Sequence, residues 1–325
     1  MLRKMLLIAL LFMLPTLIVS PVRSAFPGSN GMIVFFNDPP GDEHLGEELY
    51  TVNPDGTNLT RLTHSENFIH NTQPAWSPNG QLIAYSETDL QSLWRIVIID
   101  QEANEVDAIQ APGNFVSVLY PSWSPDGTKL VYKQNRNIRV HEVGGSQPDR
   151  QITFGKRHKS LPVWSPDGTR LAYVRVTNVG IRLEVAHIDL SKPSPLTDVT
   201  IITPSGKTDW CPDWHPTANR IVVERHAPSF ETSEIVVINL KTGAGRRLTD
   251  DRFADELCPA FSPDGEHVVW SRRLIDRDDR PPGYKLVRMR LSSGHRTTLS
   301  SFPQETSRET IVLSDPDWQP LNQLP

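Results

Sequence analysis

Residues Pro121–Gln134 read PSWSPDGTKLVYKQ, and residues Pro162–Arg175 read PVWSPDGTRLAYVR. A serine beside an aspartate, written twice, could belong to a catalytic device. The rest of the chain gives it another meaning. Aligned on the aromatic residue, six stretches share the pattern: QPAWSPNGQLIAYSE (Trp76), PSWSPDGTKLVYKQ (Trp123), PVWSPDGTRLAYVR (Trp164), CPDWHPTANRIVVER (Trp214), CPAFSPDGEHVVWSR (Phe261) and DPDWQP (Trp318). The intervals between these aromatics are 47, 41, 50, 47 and 57 residues, which is the spacing of a β-propeller built from several strands per unit.

Each part of the unit has a physical reason. In Ser-Pro-Asp-Gly the proline sets φ at the second turn position, aspartate tolerates the third, and glycine takes the positive φ that follows. The segments after the turn (LIAYS, LVYKQ, LAYVR, IVVER) are β-branched and aromatic, as strands are. Further strands follow in IVIID, IRVHEV, LEVAHIDL, EIVVINL and KLVRMRL. A polar turn and a short fourth strand then end in Leu-Thr or Ile-Thr, at residues 61–63, 151–153 and 247–249. Each unit is therefore a four-stranded antiparallel meander. The tryptophan, on the strand before the turn, is expected to fill the space between neighbouring blades.

The two ends of the chain complement each other. GSNGMIVFFND (Gly28–Asp38) reads as a turn plus second strand, and ELYTVNPDGTNLTRLT (Glu48–Thr63) as third and fourth strands. The missing first strand lies near Trp318. The expectation is an all-β, six-bladed β-propeller of four-stranded antiparallel blades, its ring closed by pairing of the N- and C-terminal strands, which leaves two fewer exposed edges. Residues 25–325 then form a single domain. HPTAN (His215–Asn219) departs from the turn consensus and lacks its glycine; it reads as drift in one loop.

Ahead of the repeats, Arg3 and Lys4 precede the apolar run Met5–Val19, and Val22 and Ser24 suit a cleavage site after Ser24. Residues 1–24 read as a signal peptide. The alternative is an uncleaved anchor, for which the run is short against the roughly 20 residues of a spanning helix. Export to the periplasm or outside the cell is expected, without membrane insertion after cleavage. Net charge is −5 with no large basic cluster, which argues against a nucleic-acid partner.

The repeat unit, and ELYTVNPDGTNLTRLT in particular, resembles the WD-like propeller repeat of the TolB family of periplasmic proteins. The resemblance spans essentially all of the chain after residue 24. It implies a six-bladed propeller and is unspecific for function. That family also carries an α/β domain ahead of the propeller, for which no counterpart is expected here.

In that family's geometry, the slot three residues before the aromatic begins the innermost strand, near the channel mouth. Across the units it holds Gln73, Tyr120, Leu161, Cys211, Cys258 and Asp315. Equivalent slots of adjacent blades are neighbours, so a disulfide between Cys211 and Cys258 is one expectation. It would close a 47-residue loop, worth about 4 kcal/mol in the loop-entropy model. Two free thiols or a metal site are the alternatives, and nothing forms a Cys/His quartet for the latter. The loops leading into the slots vary in length and chemistry. Phe68, His70, Tyr120, His158, Trp210, Phe253 and Asp315 are the candidate rim residues for a peptide or protein. Trp76, Trp123, Trp164, Trp214, Phe261 and Trp318 are structural. Acidic stretches at Asp38/Asp42/Glu43, Asp250/Asp251/Asp255/Glu256 and Asp276/Asp278/Asp279 match no calcium loop and read as solvated.

The leading expectation is a monomeric, non-enzymatic binding scaffold with no cofactor and no metal, because no local catalytic motif occurs. A hydrolase or lyase with its groups gathered at the channel mouth is the alternative, with Asp315, Asp209, His70 and Glu256 as candidates. The propeller of a prolyl-oligopeptidase-type peptidase would need a hydrolase domain that the seven residues after Trp318 do not supply.

Overall fold

The computed structural model describes residues 27–38, 46–65, 68–91, 94–110, 116–178, 180–226, 232–274, 283–303 and 315–321. The expected signal peptide (residues 1–24) and the acidic residues Asp42, Glu43, Asp276, Asp278 and Asp279 lie outside these. The described residues contain no helix and form six antiparallel sheets of four strands each, a six-bladed propeller.

Blade 1 joins the two ends of the chain. Its inner strand, Asp317–Leu321, pairs with Ser29–Asn37, followed outward by Glu48–Val52 and Thr60–Arg61. Blades 2 to 6 start with inner strands His70–Trp76, Val118–Trp123, Lys159–Trp164, Thr208–Trp214 and Ala254–Phe261. Closure differs from the sequence reading in one detail. Gly28–Gly31 does not form a Ser-Pro-Asp-Gly-like turn; Ser29 and Asn30 pair with Leu321 and Pro320. The first and second strands of this blade come from opposite ends of the chain, so no hairpin is required there.

The aromatic of each inner strand seats between two blades. Trp76 packs with Phe36 and Leu49 of blade 1 and with Ile83 and Tyr85 of its own blade. Trp123, Trp164, Trp214, Phe261 and Trp318 occupy the corresponding five clusters. The core is thus six separate wedges, one at each blade junction. Burying each tryptophan removes on the order of 200 Å² of ring from water.

The turns repeat one hydrogen-bond circuit. In Ser124–Gly127, Gly127 N–H donates to Ser124 O (2.9 Å), Lys129 N–H donates to Ser124 Oγ (2.9 Å), and Asp126 Oδ1 accepts from Ser124 Oγ and from Thr128 N–H. Gly127 sits at φ 68° and Gly168 at φ 70°. His215–Asn219 solves the same problem differently. The His215 ring nitrogen Nδ1 accepts from the amides of Thr217 and Ala218, at 3.2 and 3.0 Å, in place of the serine hydroxyl. Its ring then stacks edge-on against Phe261 (4.9 Å).

The Leu-Thr and Ile-Thr pairs also acquire a cause. The hydroxyl of Thr63, Thr153, Thr203 and Thr249 accepts a backbone N–H from the third strand of its blade (Leu49, Ile138, Leu183, Ile235) at 2.7–2.9 Å. The fourth strand ends there, and the hydroxyl replaces the next carbonyl of the ladder.

Candidate functional site

The six inner strands surround a channel cavity of about 170 Å³. Its walls are the repeated x-Pro-x-aromatic stretches. Two rings of side chains follow from this: an upper one (Gln73, Tyr120, Leu161, Cys211, Cys258, Asp315) and, two residues on, a lower one (Ala75, Ser122, Val163, Asp213, Ala260, Asp317).

The upper slot is not at the start of the strand, as expected, but within the channel wall, and its backbone is unusual. Gln73, Tyr120, Leu161, Cys211 and Cys258 all have positive φ, between 43° and 58°. In each of these five blades the strand register skips across that residue and the proline after it. Proline has no N–H to give the ladder, so a bulge is where it fits. The left-handed conformation costs a non-glycine residue about 1–2 kcal/mol. Bonds to the preceding blade offset this: Tyr120 N–H donates to Gln73 Oε1 (3.1 Å), and Cys258 N–H to Glu224 Oε2 (3.1 Å).

The lower ring stitches blades together in the same direction. Asp317 Oδ2 accepts Trp76 N–H (2.6 Å), Asp213 Oδ2 accepts Phe261 N–H (2.7 Å), and Ser122 Oγ accepts Trp164 N–H (3.4 Å). In the alternate junctions the indole donates instead, Trp123 to Ala75 O (3.0 Å) and Trp214 to Val163 O (3.1 Å).

Three carboxylates therefore face the channel. Burial raises Asp213 to about 8, with Asp317 adding repulsion, and raises Asp317 to about 7. Burial also raises Asp315 to about 7, with Glu224 adding to it. Asp315 Oδ1 is shut off from solvent and meets no hydrogen-bond partner among the described residues. Its carboxylate lies within 4.8 Å of both cysteine sulfurs. The Cα atoms of Cys211 and Cys258 stand 4.9 Å apart, within the reach of a disulfide, and the sulfurs are in bonding contact.

The expected rim residues separate. Tyr120 and Asp315 line the channel, and burial pushes the Tyr120 hydroxyl up to about 12. Phe68 and Phe253 are exposed on loops entering blades 2 and 6, at 52% and 49%. His158 is exposed, Trp210 half-buried, and His70 is hydrogen-bonded to Glu47. Sequence reasoning missed Phe154, 62% exposed on the loop entering blade 4, and the pair Asp213 and Asp317. Reading the column between proline and aromatic down the six units would have found the two aspartates.

Of the candidate catalytic groups, Asp209 is fully buried in a two-pronged pair with Arg225 (2.6 and 2.9 Å). Glu256 bonds Trp270 Nε1 and approaches Arg272 at 3.4 Å. Only Asp315 of the four opens on the channel.

The strand order and the channel define a six-bladed β-propeller. Among solved structures, TolB from Acinetobacter baumannii is similar with a TM-score of 0.68 at 18% identity, over 89% of this chain and 67% of that one. The putative TolB from Agrobacterium tumefaciens matches with a TM-score of 0.60 at 17% identity, over 85% and 91%. An oligogalacturonate lyase in complex with manganese matches at 0.54 and 14%, over 86% and 76%. No protein-family model matches the chain, and no curated protein does. These likenesses establish the fold.

Proposed function

We propose that this chain is an exported, non-enzymatic propeller that binds a protein or peptide on the face where its loops lead into the inner strands. The observation that carries this is an apolar crown of exposed side chains on one face of the propeller. Because the second strands end, and the first strands begin, on the same face, Phe68, Leu90, Phe154 and Phe253 all belong to it, and all are at least 49% exposed. Exposed aromatics grouped on one face of a rigid scaffold favour a binding surface. Export rests on the leader at residues 1–24. Among the described residues no helix is long and apolar enough to cross a membrane.

A photo-crosslinking residue at Phe154 or Phe253, activated in living cells, tests the reading by mass spectrometry. One defined protein adduct is expected from these positions and none from Lys241 or Ser293, exposed turn residues of the opposite face. Equal labelling from both faces, or none from either, overturns it. An alternative is a hydrolase or lyase, favoured by the three channel carboxylates with raised pKa.

A further inference from the structure

We propose that the channel is a receptor for one basic group, the ammonium or guanidinium of a lysine or arginine presented by an extended segment of the partner. The proposal deepens the binding role given above and rests on it. Its ground is a contrast in how this face treats its acids. Around the mouth, arginine neutralises them blade by blade: Glu48 by Arg61, Glu87 by Arg95, Glu184 by Arg175, Asp209 by Arg225, Asp255 by Arg273. Inside the channel the rule stops. Among the described residues, Asp213, Asp315 and Asp317 have no ion-pair partner, and no lysine, arginine or histidine lines the cavity. The nearby base Lys133 sits over the Tyr120 ring, 5.9 Å from its centroid, and is not part of the lining.

Three further observations point to a guest. Asp315 Oδ1 is buried with no hydrogen bond among the described residues, an uncompensated acceptor until a donor arrives. The cavity, about 170 Å³, is more than ten times the ~10–15 Å³ that one water needs, so it admits a side chain and not only an ion. The walls above and between the carboxylates are proline, leucine, tyrosine and tryptophan, which suit the alkyl stem of a basic side chain whose head reaches the acids. The bonded sulfurs of Cys211 and Cys258 leave Asp315 as the single carboxylate at the upper ring, which disfavours a metal ion there.

The test uses the full chain and four blocked pentapeptides, acetyl-Gly-Gly-X-Gly-Gly-amide with X arginine, lysine, glutamine or glutamate, titrated calorimetrically and by tryptophan fluorescence. Arginine or lysine is expected to bind at least tenfold more tightly than glutamine, and glutamate not at all. Asp315→Asn keeps the shape and removes the charge; it should weaken the basic peptide at least fivefold, and the double variant Asp213→Asn/Asp317→Asn should do so too, both with unchanged circular dichroism. Asp126→Asn, in a turn of the opposite face, should bind like wild type. Equal affinity for glutamine and arginine, no effect of Asp315→Asn, or an Asp315-dependent site filled by millimolar Mg²⁺, Ca²⁺ or Mn²⁺ but by no peptide overturns the proposal. These results are separable from the crosslinking outcome, since a partner can dock on the crown without entering the channel.

Discussion

At one end of the propeller, the turns around Gly80, Gly127, Gly168 and Gly265 share one backbone, each with φ between 67° and 71° and one serine-carbonyl hydrogen bond of 2.8–2.9 Å. At the other end, the loops entering the inner strands share neither length nor chemistry. One carries Phe68, another Phe154 and His158, another Asp251 and Phe253. The two ends belong to the same strands, so the same blade geometry supports both. The difference is one of constraint. A turn residue packs against the preceding blade: a Cβ on Gly168 would stand 3.2 Å from Pro125, and one on Gly265 would collide with the His215 ring at 2.6 Å. The loop residues meet solvent and can vary. Repetition therefore marks the scaffold, and divergence marks the surface available for recognition.

The comparison predicts a ranking of damage. Truncation at a repeated wedge should hurt most. Trp76→Ala empties a fully enclosed site between blades 1 and 2 and should cost about 3–5 kcal/mol in urea unfolding. A loss below about 1 kcal/mol would show that the wedges are not what joins the blades. Next comes the repeated threonine. Thr249→Val leaves the buried Ile235 N–H without its 2.9 Å acceptor and should cost about 1–3 kcal/mol, with the fold intact by circular dichroism. Loss of that threonine with no thermal shift would reduce the Leu-Thr signature to packing alone.

The unrepeated channel differs in kind, because its contribution depends on pH. Asp213 keeps its proton in the folded state up to about pH 8, whereas an unfolded aspartate releases it near 4. Between those values the folded chain binds more protons than the unfolded one, so this group's contribution to stability falls as pH rises. Asp213→Asn removes the penalty while keeping an oxygen for Phe261 N–H. The melting temperature of the variant relative to wild type should therefore climb from pH 5 to pH 8. A constant difference across that range would mean that Asp213 titrates like a solvated carboxylate.

Much of the fold was legible because the repeat exposes its own register. An aromatic every 41–57 residues, the first five each followed by a turn and an apolar strand, fixes blade number and strand order, and the orphan strand at Trp318 points to the ring closure. The channel was less legible. Pro-x-aromatic invites attention to its fixed letters, but the charge sits at x, where Asp213 and Asp317 alternate with alanine, serine and valine. The positive φ of Gln73 or Cys211 had no signal at all: a residue before proline is pushed toward extended backbone by local sterics, and only the shared bulge overrides this. Phe154 escaped because a lone aromatic in a polar loop looks the same whether tucked in or exposed.

Blade 1 also has a consequence in time. Ile33 meets Trp318 in its ladder, and Met32 N–H reaches the side chain of Gln319 across 287 positions of sequence. Blades 2 to 6 can each find all four strands within one stretch of chain as it emerges. The strand at Ser29–Asn37 is made early, yet its inner edge stays unpaired until Asp317–Leu321 arrives. The ring is thus a clasp whose two halves are made 287 positions apart. During that interval the waiting edge is open to any other strand in reach, so the molecule's most exposed moment comes before it is finished.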